Sequence, residues 1–310
     1  QQNINITSPY VLKLLYINRK EAHIHLNMPQ LGSYYLVKII AILIGINAAR
    51  RFFIKYIYSL KKTKKYDVAI SFSNDIPLRG TNFGSNDYVS KSCKEDFEKL
   101  APEYKGKSFL AHNFIDPAVI WEKGNEPLKQ AFDINETSFI TVARLDNTQK
   151  RIDRIIDIAK RLKENGLSFS WRILGDGQDL EYLKNLAIDA GVGDKLTFLG
   201  FVQNPYPYVK LADCFVLTSD YEAQGMVLSE SLILGTPVIT TNFPASREFV
   251  VDGENGFVVE RTIDALYEKI ETVIKSPTLL KRMSSKSGLD KSQAEAKRAL
   301  SEFYTVIGQK

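Results

Sequence analysis

Two glutamates bracket a glycine in the segment Ser219-Asp-Tyr-Glu222-Ala-Gln-Gly225-Met-Val-Leu-Ser-Glu230. The apolar run Cys214–Leu217 before it reads as a strand, and a helix is expected from about Met226. Gly225 allows close backbone approach at the helix entrance. The N–H groups of a first helical turn, with the helix dipole, favour an anion at that point. Glu222 lies in the loop just before the turn. Glu230 shares a helix side with Met226 by the i, i+4 rule. One carboxylate could therefore reach a group beyond a bound phosphate, the other a hydroxyl pair behind it. The plainer alternative is that Glu222 caps the helix and Glu230 is solvated.

A second segment, Val142-Ala-Arg144-Leu-Asp-Asn-Thr-Gln-Lys150-Arg151, also runs from a strand end through a loop into a helix. Fixed cations at such a turn suit a diphosphate, although a solvated loop would read the same way. Leu174-Gly-Asp-Gly177 ends a strand with two glycines. It is not a G-x-G-x-x-G dinucleotide fingerprint, because Leu180 stands at the last position. Phe198-Leu-Gly200-Phe201-Val202 could offer backbone polar groups and an aromatic ring to a flat base. No Asp-x-Asp pair occurs anywhere in the chain, so a metal-bridged diphosphate is not indicated.

These segments need strands that end together. From about Ser138 onward, strand-like runs (139–142, 169–174, 196–199, 214–217, 238–240, 256–259) alternate with helix-like runs (152–162, 180–190, 207–211, 226–234, 265–274). That alternation predicts βαβ units on a mostly parallel sheet. Several strands are apolar on both faces, as helices on both sides require. The first 120 or so residues are less regular. They offer a helix over 39–60, a strand over Tyr66–Phe72, a polar helix over Lys94–Leu100 and a short strand over Ser108–Ala111.

The chain has 310 residues, with 44% hydrophobic and 25% charged. That composition excludes disordered, collagen-like and coiled-coil classes for the whole. The net charge of +5 is concentrated in eight Lys or Arg between Lys38 and Tyr66, a stretch without Asp or Glu, and the remainder is net acidic. No uninterrupted apolar run approaches the ~18 residues of a membrane span. Cys93 and Cys214 match no metal or redox spacing, which fits a reducing cytoplasm.

The order and spacing of these motifs closely resemble glycosyltransferase family 4. The matching residues are Ala143-Arg144-Leu145 with Lys150, Leu174 to Gly177, Phe198-Leu-Gly200, Ala212-Asp213, Ser219 with Glu222 and Gly225, and Glu230. Further along come Gly235-Thr-Pro237-Val238 and Glu248 before Asp252-Gly253-Glu-Asn-Gly256. Asn113 to Asp116 looks like the family's interdomain linker. The resemblance is good over roughly residues 110–275 and thin before that.

The resemblance implies a GT-B fold, an α/β class with two Rossmann-like domains facing a cleft. We expect residues 1–115 to form an incomplete acceptor-side domain, with segments missing. Residues 116–285 would bind the donor, and residues 286–310 would be helical and pack back on the first domain. The implied activity is a retaining, metal-independent hexosyltransferase. It would move a sugar from a nucleotide-diphosphate sugar, most simply a UDP-sugar, to a glycan or lipid-linked acceptor of a capsule, O-antigen or other polysaccharide. Arg144 and Lys150 would hold the diphosphate in place of a metal. Gly225, Met226 and Val227 would offer N–H groups to the distal phosphate, and Glu222 would contact the transferred sugar. Glu230 would bind the ribose hydroxyls, and Phe201 and Val202 would meet the base. No covalent nucleophile stands out, which favours front-side attack assisted by the leaving phosphate.

Two positions depart from the family pattern. Arg151 stands where a glycine is usual, to contact phosphate or to cover the helix start. Ser229 and Ser231 flank Glu230 where Ala or Leu is common, with little effect expected. The family's Gly-rich turn and acceptor-cleft histidine are not recognisable. His23 and His25 lie too early, and His112 reads as structural. Residues 50–65 interleave aromatics with cations, which suits a helix on an anionic membrane at the inner face of the cell membrane, or equally an ordinary surface helix. No nucleic-acid module surrounds them. The alternatives to transfer are a sugar-nucleotide 2-epimerase of the same fold, or a non-catalytic nucleotide-sugar-binding protein.

Overall fold

The computed structural model describes residues 90–100, 108–110, 115–128 and 136–285, the strands 14–17, 68–71 and 85–88, and isolated positions besides. The helix expected over 39–60 and the basic stretch 50–65 lie outside the described residues. The chain divides into two compact units, one of residues 114–298 and the other of residues 1–113 with 299–310.

In the first part of the chain, β1 (Leu14–Ile17), β2 (Val68–Ser71), β3 (Ser85–Tyr88) and β4 (Ser108–Leu110) form one sheet in that order. The pairs β2–β3 and β3–β4 are parallel, and β1 runs antiparallel to β2. Helix α1 (Lys91–Leu100) connects β3 to β4. Strands β2 and β4 and helix α1 fall within a few residues of the sequence reading, whereas β1 and β3 were not expected. Ser85-Asn-Asp-Tyr88 carries no apolar alternation. Its extended form comes from the ladders offered by β2 and β4 rather than from its own pattern.

The larger unit opens with α2 (Pro117–Lys123), started by Asp116, whose carboxylate accepts from Ala118 N at 3.0 Å. There follow β5 (Thr137–Val142), α3 (Asn147–Lys150), α4 (Ile152–Glu164), β6 (Phe169–Leu174), α5 (Leu180–Asp189) and β7 (Leu196–Gly200). Then come α6 (Tyr206–Leu211), β8 (Cys214–Leu217), α7 (Met226–Ile233), β9 (Val238–Thr241), β10 (Gly256–Val259), α8 (Ile263–Lys275) and α9 (Pro277–Ser284). The six strands are all parallel, in the order β10-β9-β8-β5-β6-β7. Read by first appearance this is the 3-2-1-4-5-6 arrangement of doubly wound sheets.

Both faces of the sheet are covered. Alternate residues of one strand enter different cores: Phe139, Cys214 and Val216 go one way, Ile140, Phe215 and Leu217 the other. On the first face α4 lays down Ile152, Ile155, Ile156, Ala159 and Leu162, beside Leu266, Ile270 and Val273 of α8. On the second, Leu228, Leu232 and Ile233 of α7 meet Ile120 and Val209. Each such Ile, Leu or Val side chain, fully buried, is worth ~1.5–3 kcal/mol. The i, i+3, i+4 spacing of α4 is therefore what selects a helix there.

The chain starts in the middle of this sheet, at β5, and winds outward both ways. The carboxyl ends of β5 and β8 are therefore the switch point of the winding, the position where open α/β sheets bind ligands. The residues after β5 include Arg144 and Lys150, and those after β8 include Glu222 and Gly225. The fold is α/β and of the GT-B type.

Candidate functional site

Backbone hydrogen bonds lace the ends of β5, β6 and β7 together. Ala143 N donates to Leu174 O at 3.0 Å, Leu145 N to Asp176 O at 2.9 Å, and Gly175 N to Gly200 O at 2.8 Å. A Cβ on Gly175 would stand 1.8 Å from Ala143 O, and one on Gly177 2.3 Å from Leu145 O. The two glycines of Leu174–Gly177 thus serve the close crossing of two loops. Asp179 Oδ2 accepts from Asn147 N at 2.7 Å, and Asp146 Oδ1 accepts from Thr148 N at 3.2 Å. These two carboxylates cap the single turn α3 and so place its last residue, Lys150.

Lys150 meets Glu222. Its Nζ lies 2.5 Å from Glu222 Oε1, which also accepts from Ser219 Oγ at 2.7 Å. Both charged side chains are largely out of water, 14% and 11% exposed. The cation and the carboxylate, separated by 72 residues, therefore form one unit. Arg144 joins through Gln149: its Nη2 donates to Gln149 Oε1 at 3.2 Å, and Gln149 Nε2 donates to Tyr221 O at 3.0 Å. Arg144 Nη2 also lies 3.4 Å from Asp146 Oδ2.

Gly225 is the N-cap of α7 with φ 75° and ψ 50°. The first-turn amides of Met226 and Val227 thus follow a residue that has no side chain to offer them. A Cβ at Gly225 would press on Phe243 Cζ at 2.9 Å, so glycine is required here for both conformation and space. Glu230 is partly buried, and that burial pushes its carboxyl above the ordinary range. The Tyr206 phenol is raised by burial and by the nearby Glu230 charge, which puts the start of α6 beside α7. Four and five residues before Tyr206, Val202 packs on the second core, while Phe201 stands 77% exposed.

Several further residues support the site. Thr241 Oγ1 donates to Ser219 O at 2.5 Å, and Thr218 Oγ1 donates to Lys150 O at 2.8 Å. Arg151, after α3, has φ 53° and ψ 49°, a left-handed conformation costing a non-glycine residue ~1–2 kcal/mol. Its guanidinium is engaged by Asp153 and Asp220, so it covers the start of α4. Burial alone would push Asp220 up, but Arg154 and Arg151 outweigh it and hold the carboxyl below the usual range. Sequence reasoning missed Gln149, Asp220 and Arg154, because which polar residues meet across some seventy residues of chain is not carried by local spacing. Other motif residues are structural. Asp213 Oδ2 accepts from Ser138 N and Oγ at 2.8 and 2.7 Å, splicing β8 to β5. Ser231, fully buried, donates to Thr236 O at 3.0 Å, so it ties the exit of α7. Asn255 Oδ1 accepts from Val251 N at 2.8 Å, and Asp252 Oδ1 from Val258 N at 2.7 Å. Among the described residues, no group of three or more His, Cys, Asp or Glu could hold a metal ion, and no helix is long and apolar enough to cross a membrane.

Residues 123–288 match the family model described as glycosyl transferases group 1. The lipopolysaccharide core biosynthesis glycosyltransferase LpsE of Rhizobium meliloti (strain 1021) is 30% identical over 136 residues, 44% of this chain and 40% of that protein. A Campylobacter jejuni enzyme named N-acetylgalactosamine-N,N'-diacetylbacillosaminyl-diphospho-undecaprenol 4-alpha-N-acetylgalactosaminyltransferase is 26% identical over 215 residues, 68% of this chain and 56% of that one. The chain thus spans about half the length of the curated relatives it matches. Among solved structures, Anabaena Alr3699/HepE in complex with UDP-glucose superposes with a TM-score of 0.62 at 15% identity. That match covers 86% of this chain and 82% of that one.

Proposed function

The chain belongs to the glycosyl transferases group 1 family, and on that premise we propose that it transfers a sugar from a UDP-sugar to a glycan or lipid-linked acceptor, with retention and without a metal. The observation that carries this reading is the Lys150–Glu222 pair, held beside a helix entrance formed by a left-handed glycine at the carboxyl ends of the strands. The UDP-glucose complex of the HepE structure and the undecaprenol-linked substrate in the Campylobacter enzyme's name support the donor and acceptor classes.

Each group has a task in the proposed reaction. As the bond from sugar to diphosphate breaks, negative charge grows on the leaving phosphate and positive character on the sugar. Fixed donors aimed at developing charge lower the barrier most when they are oriented beforehand. Lys150 and Arg144 supply the cationic donors, and Met226 and Val227 N–H groups receive the distal phosphate at the positive end of α7. Glu222, on the far side of Lys150, accepts from a hydroxyl of the transferred sugar. Glu230 accepts from the ribose hydroxyls, with its partial burial strengthening those bonds. Phe201 offers an exposed ring to the base, and Val202 its backbone. Residues 50–65 would bring the enzyme to an anionic membrane surface on the cytoplasmic side.

The test is turnover by the full chain with a panel of UDP-sugars and isolated bacterial glycolipid, in excess EDTA. UDP release should persist, and the product should keep the donor's anomeric configuration by NMR. Loss of activity in EDTA, or an inverted product, refutes the reading.

A further inference from the structure

The proposed chemistry uses Lys150 and Glu222 but leaves unexplained the charged cluster between their backbones. Arg151 is the one residue other than glycine with positive φ among the described residues. Glycine would sit there without strain, so the arginine side chain needs a use. Its Nε and Nη2 donate to Asp153 at 3.0 and 2.8 Å, and its Nη1 to Asp220 Oδ2 at 3.1 Å. The other oxygen of Asp220 takes Arg154 Nη2 at 2.7 Å. Buried Arg154 also donates from Nη1 to Thr218 O at 2.9 Å. One carboxylate is therefore gripped on both oxygens by two guanidinium groups, a strong and directional arrangement.

The backbone repeats the tie. Asp220 N donates to Gln149 O at 2.9 Å, and Thr218 Oγ1 reaches both Lys150 O and Arg151 O at 2.8 and 2.9 Å. From the other side Arg261 Nη1 donates to Asp220 O at 3.0 Å. Lys150 immediately precedes Arg151, and Glu222 follows Asp220 by two residues. The contacts of Asp220 with Arg151, Arg154 and Gln149, and those of Thr218 with Arg154, Lys150 and Arg151, thus join the two short stretches from which the cation and the carboxylate project.

We infer that Arg151, Asp220 and Arg154 form a positioning clasp that fixes the separation of Lys150 and Glu222 before the donor arrives. The clasp rests on the reading of that pair as the donor-site pair. It touches no substrate; it acts by holding the loop after β8 against the turn after β5. The arginine at position 151 exchanges backbone ease for this grip.

Hydrogen exchange on the full chain tests the clasp independently of activity, using Arg151→Gly, Asp220→Asn and the double variant. Each single change should speed exchange of amides over residues 218–224 by roughly tenfold, while peptides from β6 keep wild-type protection. Because both changes break one contact, the double variant should exchange no faster than the faster single. Arg151→Gly should keep a near-wild-type Tm, since the left-handed strain is relieved. UDP-sugar turnover should lose kcat by about tenfold or more, while UDP affinity stays within about twofold. Unchanged loop exchange in all three variants, or equal acceleration in β6, overturns the clasp. A wild-type chain that binds no UDP sinks the donor-site reading instead, and the exchange data still decide whether the clasp exists.

Discussion

Lys150 already has a partner in Glu222, and a diphosphate must compete for it. Replacing Glu222 by Gln keeps the volume and removes the charge. At 2.5 Å a unit pair in an effective dielectric of ~20 attracts by ~7 kcal/mol before desolvation is subtracted. Both side chains have given up most of their water, at 14% and 11% exposed, and that cost offsets most of the attraction. A net ~1–2 kcal/mol is reasonable for a pair between the surface and fully buried cases. In Glu222→Gln the ammonium no longer surrenders that amount when phosphate oxygens arrive. UDP should therefore bind roughly 5- to 30-fold more tightly than to wild type. Transfer should be lost, because the sugar loses its charged acceptor. Isothermal titration with UDP at fixed ionic strength, beside a turnover assay, measures both. Unchanged or weaker UDP binding would mean that Lys150 does not exchange Glu222 for phosphate, and the assignment of the pair would fail.

Two other outcomes follow from the same geometry. Gly225→Ala meets both a positive φ of 75° and Phe243 Cζ at 2.9 Å. It should cost about 1–3 kcal/mol in denaturant unfolding and weaken UDP binding, whereas equal stability would refute the steric argument. Glu230→Gln tests the burial of a charge. Native Glu230 holds its proton above the ordinary carboxylate range, so unfolding releases a proton within that window. Stability from this group is then full below the ordinary range and falls as pH rises through the raised native value. The variant should gain Tm over wild type at neutral pH, and the gain should vanish below the ordinary range, while ribose-containing ligands bind less well. A pH-independent Tm difference would contradict the burial account.

The donor-binding sheet was readable from the sequence because its elements are strongly patterned. Phe169–Leu174, Cys214–Leu217 and Gly256–Val259 were expected with their observed bounds. In α4 the apolar stripe is dictated by one buried face. The short turn α3 was not expected, because its start depends on Asp146 and on Asp179 from a distant loop. Strand β3 was also missed, since it owes its form to neighbouring strands. For the site, residue type and spacing suggested Arg144, Lys150, Glu222, Gly225 and Glu230, but not which of them touch.

The sequence by itself determined the doubly wound sheet, the glycine helix entrance and the identity of the charged groups. These follow from local periodicity, steric freedom and side-chain chemistry, which short stretches carry unaided. Only the tertiary structure decided that Lys150 and Glu222 form one pair, that Arg151 serves Asp220, and that Glu230 is partly buried. Those facts depend on which strands become neighbours. The sheet starts in its middle, so loops some seventy residues apart meet at one switch point. Pairing and desolvation then arise from contacts that no local spacing encodes.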